Sequence, residues 1–241
     1  GLGKECRVRA DSIQLGKDGL SFLLRTPSGQ GMVRSPLIGD FNVYNILAAA
    51  AAGLALDFSL EAVIRGIEAL PSIPGRLERV ENPRGLTLVV DYSHKPDALL
   101  KAMTTLKPYA KGRLITVFGC GGDRDRGKRY DMGRLAGEHS DVAFITSDNP
   151  RSEDPLSIVK EIEKGMLDSG LKKGGGNSHP VKGYFLEVDR RQAIRKAIAM
   201  ADQTDIVLIA GKGHEDYQII GSKKTPFSDQ EEAARAASEG V

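Results

Sequence analysis

From residue 86 onward, short apolar runs alternate with longer amphipathic stretches. The runs at 86–90, 114–118, 142–145, 184–188 and 206–209 are dominated by Val, Ile, Leu and Phe. Short continuous apolar runs bounded by helical patterns read as strands covered on both faces, which is the habit of parallel sheets. Helices are predicted to start near Pro96, Tyr130, Leu156, Arg190 and Asp229. The alternation predicts a doubly wound, mostly parallel α/β sheet.

The first 75 residues read differently. Strands are predicted at 6–15, 20–24 and 32–38, with Gly16-Lys17-Asp18-Gly19 turning between the first two. An Ala-rich helix follows over 42–55. A second helix is opened by Ser59, and its Leu60, Val63, Ile64, Ile67 and Leu70 fall on one face. Pro71 stops that helix, and the run Pro71-Ser72-Ile73-Pro74-Gly75 cannot continue it. The predicted organisation is therefore two domains, 1–75 and 76–241. A further Gly-rich stretch, 174–178, reads as an exposed loop.

Composition narrows the class of protein. With 34 Lys and Arg against 32 Asp and Glu in 241 residues, the chain lacks the strong basic field of a nonspecific nucleic-acid binder. Its longest apolar run, 46–56, is too short to span a bilayer, so neither nucleic acid nor membrane is an expected partner. Cys6 and Cys120 form no CxxC pair, which argues against a disulfide framework and a zinc site and fits a reducing, cytoplasmic setting.

In an open parallel sheet ligands bind at the carboxyl ends of the strands, where loops and helix N-termini gather. Four polar clusters fall at that edge: 91–97 (Asp91-Tyr92-Ser93-His94-Lys95-Pro96-Asp97), 119–129, 147–151 and 211–215. One polar loop means little, but four at equivalent positions point to a shared site. The 119–129 loop imitates two phosphate-binding patterns and completes neither. Arg129 stands where a phosphate-binding loop ending Gly127-Lys128 needs Ser or Thr, and Arg124 stands where a dinucleotide fingerprint needs its third Gly. Such a loop can offer backbone N–H groups and guanidinium forks to anions, or be a tight turn with solvated charges. Arg151 is suited to a carboxylate in bidentate fashion and Glu215 to an ammonium, with Arg151 alternatively a surface residue paired to Glu153 or Asp154. Asp91 closes a buried strand, where a lone carboxylate requires a partner: a ligand hydroxyl, a metal or His94. Asn42 and Asn45 open the Ala-rich helix and read either as caps or as site residues. Cys120 reads as a small buried thiol.

These motifs together resemble the Mur ligase family, in its meso-diaminopimelate-adding branch. The resemblance rests on Gly39 to Asn45, Gly75-Arg76-Leu77-Glu78, Asp91 to Asp97, the Gly119 to Arg129 loop, Asp148-Asn149-Pro150-Arg151 and Gly211 to Glu215. It implies a carboxyl-terminal Rossmann-like domain over 76–241, preceded by the tail of a central ATP-binding domain over 1–75. It implies ATP and Mg2+ as cofactors, with the metal ligands mostly outside these residues and no metal ligand assigned within them. The implied reaction adds meso-diaminopimelate to UDP-MurNAc-L-Ala-D-Glu through an acyl phosphate in peptidoglycan synthesis. Asn45, Arg76 and Asp91 are the implied ATP contacts. Arg129, Asp148, Asn149, Pro150, Arg151, Gly211 and Glu215 are the implied diaminopimelate contacts, with Asn42, His94, Lys128 and His214 in support. A diamino dicarboxylic acid needs guanidinium groups and acids together, and Arg151 would reject lysine by leaving two cations facing each other.

Ser93, Lys95, Tyr130 and Ser147 depart from the residues usual in these motifs, and none removes a charged centre. The chain opens on Gly1 and holds no phosphate-binding loop, no UDP-binding domain and no carbamylatable lysine of the family's kind. It is thus expected to be the monomeric carboxyl part of a longer ligase and not to turn over by itself, with no confident catalytic residue inside it. The rival readings are a sibling ligase adding lysine, or glutamate to folate; a noncatalytic nucleotide or amino-acid binding module; and a nucleotide-dependent oxidoreductase, disfavoured by the incomplete fingerprint.

Overall fold

A computed structural model describes residues 1–174 and 182–239. The chain forms two units, Gly1–Ile73 and Pro74–Val241. The Gly-rich stretch predicted as a loop falls outside the described residues from Gly175 onward.

The first unit is an antiparallel meander of β1 (Arg9–Gly16), β2 (Gly19–Thr26) and β3 (Gly29–Ser35), followed by α1 (Phe41–Ala55) and α2 (Leu60–Glu68). Alternate residues of β2, Leu20, Phe22 and Leu24, are buried with Val33, Val43, Ile46, Leu47 and Ala50 in one apolar core. The Ser59 hydroxyl accepts from the Ala62 N–H at 3.2 Å and starts α2, whose Val63, Ile64 and Ile67 pack on that core. Helix α1 is capped by Asp40, which accepts from the Phe41 N–H, rather than by either asparagine.

The second unit is built on a six-stranded sheet, ordered β4 (Glu78–Arg79), β5 (Thr87–Asp91), β9 (Ile206–Ala210), β6 (Leu114–Cys120), β7 (Val142–Ser147), β8 (Gly183–Leu186). All neighbours run parallel except β4 against β5. Every residue of β5, β6, β7 and β9 is buried, which is why these strands read as unbroken apolar runs. The chain steps from β5 to β6, β7 and β8 through α3 (Pro96–Leu106), α4 (Gly127–His139) and α5 (Pro155–Asp168). It then returns through α6 (Arg190–Ala199) to lay β9 between β5 and β6. That reversal is the topological switch at which such sheets bind ligands. Helices α6 and α7 (Asp229–Ser238) share a core with Leu88, Val90, Ile115, Val117, Phe144, Val207 and Ile209.

Helices α4 and α5 approach so closely that a side chain at Gly133 would lie 2.1 Å from the Ile162 carbonyl oxygen, and one at Gly165 would lie 1.9 Å from that of Tyr130. Only glycine fits at either crossing point. Absent from the sequence expectation are the two-residue β4 and a hairpin of β10 (Tyr217–Ile220) and β11 (Lys223–Pro226). The hairpin's four-residue strands are half exposed and polar on β11, so no apolar run announces them; the turn residue Gly221, at φ +59°, is the available signal. Among the described residues no helix is long and apolar enough to cross a membrane.

Candidate functional site

The loops leaving β5, β6, β7 and β9 surround a cavity of about 830 Å³. Its wall combines four cations, Lys95, Arg124, Lys128 and Arg151, with five carboxylates, Asp97, Asp125, Asp131, Asp148 and Glu215. Tyr92, His94, Asn149, Gly211 and Tyr217 complete the contacts that matter below. A cavity so dense in both signs suits a small molecule that is itself several times charged.

The 148–151 turn is the best-defined part. Asn149 lies almost wholly inside, with its amide nitrogen donating to Glu215 Oε2 at 2.9 Å and its amide oxygen accepting from the Ile219 N–H at 3.0 Å. Arg151 has φ +52°, a strained value for a residue with a side chain. The hairpin holds it there: the Arg151 N–H donates to Ile219 O at 3.1 Å, and its carbonyl accepts from Gly221 N–H at 2.7 Å. Its guanidinium donates to the Gly122 carbonyl at 2.9 Å and has no carboxylate partner among the described residues. The surface pairing with Glu153 or Asp154 is thereby set aside, since Glu153 instead receives Arg126 and Arg129. The two loops touch tightly: Gly122 N–H donates to Asn149 O at 2.9 Å, and a Cβ at Gly122 would lie 1.9 Å from the Pro150 carbonyl oxygen. Pro150 thus shapes the loop contact and is not on the cavity wall.

Behind Asn149 lies Lys212, wholly buried. Its ammonium reaches Asn149 Oδ1 at 3.1 Å, Asp148 Oδ1 at 3.3 Å and Glu215 Oε2 at 3.3 Å. Deeper still, the buried Arg190 guanidinium pairs with Asp229 at 2.6 Å and donates to the carbonyls of Ser147 and Ala210, the last residues of β7 and β9. Burial raises the Tyr92 phenol above its usual range, helped by the charges of Glu215 and Asp148, so it stays protonated at neutral pH.

Two expectations are corrected. Arg129 does not line the cavity: it is wholly buried, bonded to Glu153 at 2.8 and 3.0 Å and to Glu161 at 2.8 Å. With two carboxylates already on it, Arg129 has no room for a third, and the cavity's guanidinium from this loop is Arg124, five residues earlier. Asp91 is not partnered by His94. Its oxygens accept from the Leu77 N–H at 2.8 Å and from the Ser93 hydroxyl. The cost of burying it is met within the chain, and the bond pins Leu77 at φ +43° in the turn that carries Arg76.

The other predicted residues are dispersed around this frame. Arg76 is exposed, its guanidinium 5.4 Å from the Tyr92 ring centre. His94 bonds the Tyr92 carbonyl through Nδ1 at 3.0 Å, and Lys128 donates to the His94 carbonyl at 2.7 Å. His214 is exposed, its ring 5.2 Å from that of Tyr92. In the first unit, Asn42 is buried and donates to Ile38 O at 2.8 Å, while the exposed Asn45 donates to Asn42 Oδ1 at 3.0 Å. Cys120 is buried, which pushes its thiol up to about 12 and leaves it inert. Sequence reasoning passed over Lys212, inside the 211–215 cluster, and Arg190, the first residue of α6; only burial distinguishes them from ordinary surface cations.

A mostly parallel sheet with a charged cavity at its switch point defines an α/β domain that binds small molecules. The family described as "Mur ligase, glutamate ligase domain" matches residues 75–213, and "Mur ligase middle domain" matches residues 1–53. The chain belongs to the Mur ligase family. It is 49% identical over 240 residues to the UDP-N-acetylmuramoyl-L-alanyl-D-glutamate–2,6-diaminopimelate ligase of Geobacter sulfurreducens, covering 98% of this chain and 47% of that protein. It is 44% identical over 241 residues to the ligase of the same name from Thermosynechococcus vestitus, covering 99% of this chain and 46% of that protein. A solved structure of that title superposes with a TM-score of 0.69 at 36% identity, covering 98% of this chain and 46% of the other. A MurC alanine ligase from Thermotoga maritima, at 13% identity and TM-score 0.64, shares the fold. The chain spans about half the length of the curated relatives it matches.

Proposed function

We propose that the complete protein is an ATP-dependent ligase that joins meso-diaminopimelate to UDP-MurNAc-L-Ala-D-Glu, with residues 1–75 closing the central ATP-binding domain and 76–241 forming the amino-acid-binding domain. The observation that carries the reading is the cavity's pairing of carboxylate-free guanidinium at Arg151, and Arg124 beside it, with the anionic group of Asp148 and Glu215. Two carboxylates and one ammonium on a ligand whose second amine is the nucleophile match that arrangement, and lysine, with a single carboxylate, does not.

In this reading the γ-phosphoryl group of ATP passes to the terminal carboxylate of the peptide, and the amine of the incoming amino acid attacks the acyl phosphate. The tetrahedral adduct then expels phosphate. The chain's own residues bind and orient: Arg151 and Arg124 take ligand carboxylates, and Glu215 takes an ammonium. Arg76 is the second unit's contact to the nucleotide, and Asp91 serves by fixing the turn on which Arg76 stands. No group of three or more Cys, His, Asp or Glu that could hold a metal occurs among the described residues.

The test is phosphate release by the complete protein with UDP-MurNAc-L-Ala-D-Glu and ATP. Turnover is expected with meso-diaminopimelate and not with L-lysine. Arg151→Ala should raise KM for meso-diaminopimelate by about 100-fold, the worth of a lost charge-assisted bidentate pair, while KM for ATP moves less than about twofold. Equal effects on both substrates would refute the selectivity role.

A further inference from the structure

Lys212 is an unusual residue to find wholly buried, because an ammonium there is costly unless each of its three protons meets an acceptor. Here three acceptors are supplied by three different residues: Asp148 Oδ1, Asn149 Oδ1 and Glu215 Oε2. The Asn149 amide is thereby fixed in one sense, its oxygen towards Lys212 and the Ile219 N–H, its nitrogen towards Glu215. Glu215 Oε2 receives both Lys212 and Asn149, and Oε1 has no partner among the described residues. The charges can be counted. Arg190 is matched by Asp229, and Lys212 matches one of the two carboxylates Asp148 and Glu215, so within this ion-paired cluster one negative charge remains, with the Arg151 guanidinium near it on the 148–151 turn.

We propose that Lys212 is a positioning residue for the amino-acid end of the cavity: it locks Asn149 and Glu215 in one orientation and reduces the local charge to a single anion, carried by Glu215, that receives one ligand ammonium. Without Lys212, Asp148 and Glu215 lose the cation they share, and the Glu215 carboxylate loses its fixed direction. The proposal rests on reading the cavity as a diamino dicarboxylate site. The ionisable groups facing the cluster from neighbouring elements are Tyr92 after β5, Arg151 after β7, Arg190 on α6, and Tyr217 on β10, whose ring also receives Lys224.

The experiment uses the complete protein, with kinetics in meso-diaminopimelate and in ATP. Lys212→Met should raise KM for meso-diaminopimelate by about 30-fold, with KM for ATP within twofold, since two or three charge-assisted bonds are lost at the amino-acid end alone. A folded Lys212→Met protein whose KM for meso-diaminopimelate stays within twofold of wild type, or whose KM for ATP rises equally, overturns the proposal. Should Lys212→Met fail to fold, Lys212→Gln carries the test: it keeps a donor and loses the charge, so a KM for meso-diaminopimelate raised about tenfold with KM for ATP within twofold supports the proposal, and a wild-type KM overturns it. A wild-type protein that does not use meso-diaminopimelate at all would instead refute the functional reading.

Discussion

The loop after β6 and the loops after β7 and β9 treat buried charge in opposite ways. After β6, Arg129 is met by Glu153 and Glu161, and Glu153 is met again by Arg126 and by the Asp123 N–H. The carboxylates of that cluster are spent on arginines and fasten α4 to α5, while Arg124 of the same loop is left to the cavity. After β7 and β9, one cation, Lys212, is shared by two carboxylates and an amide, and a negative charge remains beside the cavity. Saturated charge braces the fold, while deliberately unsaturated charge makes a site. Arg190 belongs with the first kind although it lies against the second, because Asp229 closes it one to one.

The largest way to break this contrast is at Arg190. Arg190→Met leaves Asp229 buried and unpaired and frees the carbonyls of Ser147 and Ala210, so the second unit should lose about 3–5 kcal/mol in urea unfolding. Replacing Asp229 by Leu in the same protein should recover much of that, since removing both members of a buried pair costs far less than removing one. A loss within experimental error from Arg190→Met alone would show the pair to be incidental.

Next comes the pair of arginines that sequence motifs place together and the structure separates. Arg129→Met should cost about 2 kcal/mol of stability by stranding parts of Glu153 and Glu161. Its effect on KM for meso-diaminopimelate in the complete protein should stay below about threefold. Arg124→Ala should do the reverse, leaving stability within about 0.5 kcal/mol and raising that KM about tenfold. If Arg129→Met raises KM as much as Arg124→Ala does, the saturated brace is in truth part of the site.

The architecture was legible because its signals are redundant. Buried parallel strands must be apolar throughout, so β5, β6, β7 and β9 announce themselves, and Ser59 marks a helix start by the cap it makes. The site's location followed from topology, since loops at one sheet edge must converge. What sequence could not separate was charge that faces a cavity from charge that faces another charge. Arg124 and Arg129 are five residues apart across the start of α4, and only the crossing of α4 on α5, with Glu161 on α5, decides which is consumed. The same reason hid Lys212, flanked by two glycines in a loop that reads as exposed. The hairpin of β10 and β11 escaped because it is short and polar, although it is what holds Arg151 in its strained backbone.

The smallest expected effect is also the sharpest for the contrast, because it reads charge saturation directly. The bonds from Arg129, then from Arg126 and the Asp123 N–H, hold the Glu153 carboxyl well below the usual carboxylate range. Because its folded value is depressed, the stabilisation it contributes is complete above its unfolded value of about 4.3 and is lost as pH falls through that value towards the folded one. The stability difference between wild type and Glu153→Gln, measured by urea unfolding, should therefore be constant from pH 7 to about 5 and shrink steadily below that. Raising salt should erode little of it for the bonds to the buried Arg129 and more for the exposed Arg126. A difference that persists unchanged at pH 3 would mean that Glu153 stabilises by packing alone, and the loop after β6 would no longer stand as the charge-saturated counterpart of the cavity.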